Sequence, residues 1–141
     1  VDLLASLIKE YNINPNKLRL ELTENLLITN IDETLEKIKE LFDLGVTLSI
    51  DDFGTGYSSL AYLKKLPIHE LKIDQSFIKD ILIDTNDFSI VETILSIGGK
   101  FNLEVIAEGV ETKEQHEMLV SMGCSYFQGY FFAKPIVFSD L

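Results

Sequence analysis

Short apolar runs alternate with amphipathic stretches along this chain. Leu18–Leu22 reads as a strand. Ile31–Leu44 reads as a helix, because Ile31, Leu35, Ile38, Leu41 and Phe42 fall on one face. Asn30 with Glu33 has the spacing of a capping box, and Gly45 suits the position after the helix. Val46–Ile50 is the next strand, and Ser58–Lys65 a short helix stopped by Pro67. Glu70–Ile73 is a third strand, followed by a helical turn or two around Ser76–Leu82. Asp87–Phe101 is a helix with Val91, Ile94 and Leu95 inward, its last turn weakened by Gly98 and Gly99. Leu103–Ala107 is a fourth strand. Thr112 and Gln115 cap a helix that runs to Met122, and Cys124–Phe127 is a fifth strand. The chain also opens inside a helix.

Strands spaced by helices imply βαβ crossovers and a parallel sheet. The two common solutions are an open doubly wound sheet and a (β/α)₈ barrel. The polar residues separate them. Glu21 ends the first strand, with Glu24 just after. Asp51 and Asp52 end the second, Lys72 and Asp74 the third. Glu108 and Glu111 follow the fourth, and Gln128 ends the fifth. A barrel gathers the carboxyl ends of all strands on one face, which carries the active site. A doubly wound sheet gathers only those near its switch point. The barrel is favoured.

Taken singly, each of these residues has a plainer account. A strand end is polar where the chain leaves the core, lysine is exposed by default, and Asp74 precedes a helical stretch as an N-cap. Convergence of several acids, a lysine and an amide is what points to chemistry. Asp51-Asp52 is the strongest element, since adjacent carboxylates repel and burial disfavours their charge. A divalent cation resolves both problems. Hard ions such as Mg²⁺ take oxygen ligands and substrate phosphate. Paired ions about 3.5–4 Å apart hold both the attacking and leaving oxygens of a phosphodiester. Glu21, Asp51 and Asp52 offer ligands, and Lys72 a donor for developing charge. The loop Phe53–Ser59 carries two glycines but lacks the P-loop pattern. His69 and His116 are isolated and read as ordinary surface or helix residues.

The chain has 141 residues, a one-domain length, and is 46% hydrophobic. Twelve basic against 23 acidic residues give a net charge of −11. Such a surface does not read as a non-specific binder of DNA, RNA or membranes. Cys124 is the only cysteine, which fits core packing and a reducing, cytoplasmic compartment. No apolar run is long enough for a transmembrane helix, and no signal peptide is present.

Five motifs in order and spacing resemble the bacterial EAL domain. They are Glu21-Leu22-Thr23-Glu24, Asp51-Asp52-Phe53-Gly54-Thr55-Gly56-Tyr57-Ser58-Ser59, Leu71-Lys72-Ile73-Asp74, Ala107-Glu108-Gly109-Val110-Glu111 and Gln128-Gly129-Tyr130. The resemblance implies a TIM-like barrel that hydrolyses cyclic di-GMP to linear pGpG with Mg²⁺ or Mn²⁺. By resemblance Glu21 and Asp51 hold a first metal, Asp51 bridges to a second, and Asp52 holds that second metal. Lys72 resembles the lysine that contacts the catalytic water, and Glu108 the glutamate of proton transfer. Gln128 resembles an amide that supports the site, Glu24 the anchor of the Asp52–Ser59 loop, and Glu111 an outer partner.

The Glu-Ala-Leu tripeptide that names the family is absent here, as is the asparagine that completes the first metal site. A TIM barrel needs about 250 residues. Residues 1–141 are therefore expected to be an EAL domain fragment, a partial barrel of about five C-terminal strands. The N-terminal strands and the last helix lie outside it. By the same resemblance this stretch alone is an impaired hydrolase, and its exposed strand edges favour self-association. The parent would carry sensor or diguanylate cyclase domains. The alternatives are a non-catalytic module that binds cyclic di-GMP or a protein in second-messenger signalling, and an inert fragment.

Overall fold

The computed structural model of the protein describes residues 1–27, 31–56 and 60–137. Among these, five strands form one sheet: β1 (Arg19–Thr23), β2 (Thr47–Phe53), β3 (Glu70–Ile73), β4 (Glu104–Ala107) and β5 (Tyr126–Phe127). Every adjacent pair is parallel, and the strand order follows the chain, β1-β2-β3-β4-β5. A doubly wound sheet reverses its order at a switch point. This sheet has no reversal, so it is the wall of a partial TIM-like barrel.

The helices are α1 (Asp2–Glu10), α2 (Ile31–Asp43), α3 (Leu60–Leu63), α4 (Gln75–Lys79), α5 (Thr85–Phe101) and α6 (Lys113–Ser121). One face of the sheet is apolar. Leu48, Ile50, Leu71, Ile73, Val105 and Ala107 are buried there in one cluster with Ile38 of α2, Ile78 of α4, Val91 and Ile94 of α5 and Leu119 of α6. Each such side chain contributes about 1.5–3 kcal/mol on burial, so this layer fixes the direction of every strand. The alternate residues, among them Glu21, Ser49, Asp51, Glu70 and Lys72, take the other face. TIM barrels usually fill that side with branched apolar residues. Here it carries charge from end to end. At its amino-terminal end Arg19 pairs with the buried Glu70, and Glu104 accepts a hydrogen bond from the Tyr126 hydroxyl.

Several boundaries depart from the sequence reading. Helix α5 starts at Thr85 rather than Asp87, because the Asp84 carboxylate accepts from the Asn86 and Asp87 amides. Strand β5 has two residues rather than four, since the Cys124 amide still donates to Leu119 of the preceding helix. Strand β2 runs on through Phe53, so both aspartates lie inside it. Phe42 was expected on the inward face of α2 but is 43% exposed, stacked beside His69 with ring centroids 6.1 Å apart. The expected cap Asn30 lies outside the described residues, as do Tyr57–Ser59 of the glycine loop. Gly98 is a packing requirement rather than a weakness, since a Cβ there would fall 2.1 Å from Val105 Cγ2. It lets α5 lie close on β4.

Candidate active site

Lysine at the end of a strand is normally exposed. Lys72 is instead 5% exposed. Its Nζ lies 2.7 Å from Glu108 Oε1, 2.9 Å from Glu21 Oε1 and 3.0 Å from Asp51 Oδ1. Glu21 from the middle of β1, Asp51 from within β2 and Glu108 just past the end of β4 thus send a carboxylate to one ammonium carried by β3, so the expectation that Glu21 and Asp51 end their strands does not hold. Burial works against the Lys72 charge, but the carboxylates of Glu108, Glu21 and Asp51 around it outweigh this and hold the ammonium above its ordinary range. Burial also pushes the Glu108 carboxyl up, and Lys72 only partly offsets this.

Asp52 joins the cluster through a backbone device. In a regular strand consecutive side chains point to opposite faces, which would send Asp52 away from Asp51. The β2–β3 register shifts between Ile50 and Phe53, and Asp52 sits in the left-handed region at φ +54°. Strain of this kind concentrates at functional sites. The result is that Asp51, Asp52 and Glu108 each place a carboxylate oxygen within 4.8 Å of the others. Asp52 also shares a hydrogen bond with Asp74. Burial, that hydrogen bond and the Asp51 charge raise the Asp52 carboxyl. Asp74 is lowered despite its burial, because Ser76 donates to it. It caps α4 through the Ser76 amide at 2.8 Å, as the sequence predicts, and the link to Asp52 is what sequence reasoning missed.

This set fits a divalent cation. All its donors are oxygens. Asp51 Oδ1 is sealed from solvent and is met by Lys72 Nζ as an ion pair without good hydrogen-bond alignment. A lone ammonium offsets only one of the charges of Glu21, Asp51, Asp52 and Glu108, and a hard divalent cation would offset two more. Asp51, Asp52 and Glu108 would hold it. Glu21, half exposed and 2.9 Å from Lys72, borders them.

Gln128 and Glu111 lie beside this cluster rather than in it. Both are exposed, and they line an adjoining cleft with Glu108, Gln75 and Tyr130. No sequence signal marked Gln75. Glu24 is 3% exposed and accepts from the amides of Gly54 and Gly56 at 2.9 and 3.0 Å. The glycine at 56 is required here, because a Cβ would lie 2.9 Å from the Glu24 carboxyl carbon. Glu24→Ala would leave both amides without that acceptor and cost about 3 kcal/mol. Hydrogen exchange at Gly54 and Gly56 should then accelerate by about 100-fold or more, and unchanged exchange would contradict the latch. Cys124 is buried, burial raises its thiol, and it packs in the core as expected.

Comparison with known proteins agrees with this geometry. The EAL domain family model matches residues 1–135. The cyclic di-GMP phosphodiesterase NbdA of Pseudomonas aeruginosa is 49% identical over 124 residues, covering 88% of this chain and 16% of NbdA. The bifunctional diguanylate cyclase/cyclic di-GMP phosphodiesterase MucR of the same organism is 43% identical over 96% of the chain and 20% of MucR. The solved PaMucR phosphodiesterase in complex with c-di-GMP superposes with a TM-score of 0.95 at 42% identity, covering 99% of this chain and 56% of that one. Klebsiella pneumoniae BlrP1, solved with manganese and cy-diGMP, has a TM-score of 0.87 at 34% identity, covering 95% and 34%. The chain thus spans a fifth or less of these curated relatives and about half of the solved phosphodiesterase chain.

Proposed function

The chain belongs to the EAL domain family, and we propose that it forms the part of a cyclic di-GMP phosphodiesterase site that carries most of the acidic ligands. The observation that carries this reading is the meeting of Glu21, Asp51 and Glu108, from three separate segments, on the buried ammonium of Lys72. In this reading Asp51 and Asp52 would hold Mg²⁺ or Mn²⁺ with Glu108 in the same group, and Glu21 borders them across Lys72. The bound ions supply electrophilic polarisation of the phosphodiester and neutralise its developing charge.

The chain's own groups do the rest. Lys72 points donors at the oxygens that gain negative charge. Glu108 is a carboxylate whose burial raises its proton affinity, which suits it to accept a proton at Oε1 from the attacking water. Gln128 orients substrate from the lip of the adjoining cleft, and Glu111 supports that cleft from the other strand end. Glu24 holds the glycine loop in place beneath Asp52. Gln115 ties these parts together. It accepts from the Glu111 and Thr112 amides and donates to the Ile78 and Lys79 carbonyls.

The test is turnover. The complete protein with cyclic di-GMP and Mn²⁺ should yield linear pGpG, resolved by chromatography, and a chelator should stop it. Binding of cyclic di-GMP without product would instead make the protein a non-catalytic receptor. The name of MucR supports a diguanylate cyclase unit as neighbour in the parent protein. No helix among the described residues is long and apolar enough to cross a membrane, and this reading places the protein in the cytoplasm. Among the described residues strand β1 pairs on one side only, which supports self-association of this stretch, measurable by light scattering. Expressed alone, the stretch should hydrolyse poorly.

A further inference from the structure

Lys72 Nζ stands where the carboxylates converge. An ammonium has three donors and no acceptor, and ion pairs to Glu21, Asp51 and Glu108 at 2.7–3.0 Å surround it. Two of those partners, Asp51 and Glu108, also belong to the carboxylate group with Asp52 whose oxygens lie within 4.8 Å of one another. A divalent ion drawn to that group therefore needs oxygens that the ammonium already holds. Two cations that share two carboxylates in a buried site also repel each other, and water screens them little there. The lysine has little room to retreat, since it is buried on all sides and its strand β3 lies in the middle of the sheet.

We propose that Lys72 is an internal competitor for the metal: it gathers Glu21, Asp51 and Glu108 in the metal-free protein and surrenders Asp51 and Glu108 contacts when an ion enters. The inference rests on the reading above that these carboxylates take a divalent cation. It assigns Lys72 a second task besides its part in turnover. The ammonium keeps mutually repelling acids in place before the ion arrives, and it weakens metal affinity as the consequence of doing so. Metal occupancy then responds to the ambient Mg²⁺ or Mn²⁺ level rather than staying saturated.

The test is Mn²⁺ binding by the complete protein without cyclic di-GMP, followed by the paramagnetic resonance of free Mn²⁺. Wild type is compared with Lys72→Met, which keeps an unbranched stem and removes the charge. Lys72→Met should bind Mn²⁺ about tenfold more tightly or better, the scale of one charge-assisted contact no longer surrendered. Its melting temperature should be lower than wild type without metal, and should rise more on adding Mn²⁺. A variant that folds only in the presence of Mn²⁺ supports the same conclusion, because the ion then replaces the ammonium. Equal or weaker Mn²⁺ binding by Lys72→Met, with an equal or smaller thermal rise, overturns the competition. A wild type that binds no Mn²⁺ overturns the metal reading itself, and the competition with it.

Discussion

Asp51→Asn is expected to lower cyclic di-GMP turnover by about 1,000-fold or more while leaving the fold standing. Changing a group that only orients a metal ligand costs about 10–100-fold, and Asp51 is placed to be a ligand. Like Glu108, it both touches Lys72, at 3.0 Å, and sits in the carboxylate group that includes Asp52. The amide keeps the shape and loses the charge. Stability should change little, because Lys72 retains Glu21 and Glu108 and one of several repelling acids is gone. Thermal unfolding checks the fold, and kcat at saturating Mn²⁺ checks the chemistry. Glu21→Gln should be milder, since Glu21 is half exposed and Lys72 keeps Asp51 and Glu108. Turnover of Asp51→Asn within tenfold of wild type would remove Asp51 from the reacting centre.

The parts of this site that were legible are those set by strand periodicity. The β3 boundaries follow directly from Glu70–Ile73, and strand alternation marks which side chains share the polar face. The burial of Lys72 was not legible. It depends on three acids that lie 51, 21 and 36 residues away, and each alone reads as a surface charge. The direction of Asp52 was also hidden. Nothing local in Ile50-Asp51-Asp52-Phe53 announces a left-handed residue inside a strand, and the bulge exists because β3 pairs on both sides of it. Gln115 was half legible. Its spacing from Thr112 gives the capping box, whereas its donation to Ile78 and Lys79 crosses from one helix to another. Gly98 misled for a related reason, because a glycine in a helix reads as a propensity loss until the strand that presses on it is known.

The second large effect concerns a glycine that no charge argument selects. Gly129→Ala should destabilise the protein by about 3 kcal/mol or more, at the upper end of overpacking costs. A Cβ at 129 would fall 2.1 Å from the Val110 carbonyl oxygen and 2.4 Å from the Val110 nitrogen. Those atoms are backbone and cannot rotate away. They are also committed, since the Val110 amide donates to Gln128 and the Val110 carbonyl accepts from Phe131. Relief therefore requires the two chain segments to separate, and Val110 stands between Glu108 and Glu111. Loss of stability should come with loss of turnover. Gly99→Ala is the control, because a Cβ there meets nothing within 4 Å and alanine gains about 0.5–1 kcal/mol in a helix. Melting temperatures of the two variants should move in opposite directions. If Gly129→Ala unfolds within about 1 kcal/mol of wild type, the crossing of Gly129 over Val110 does not hold the β4 and β5 ends together, and Gln128 reaches the cleft by other means.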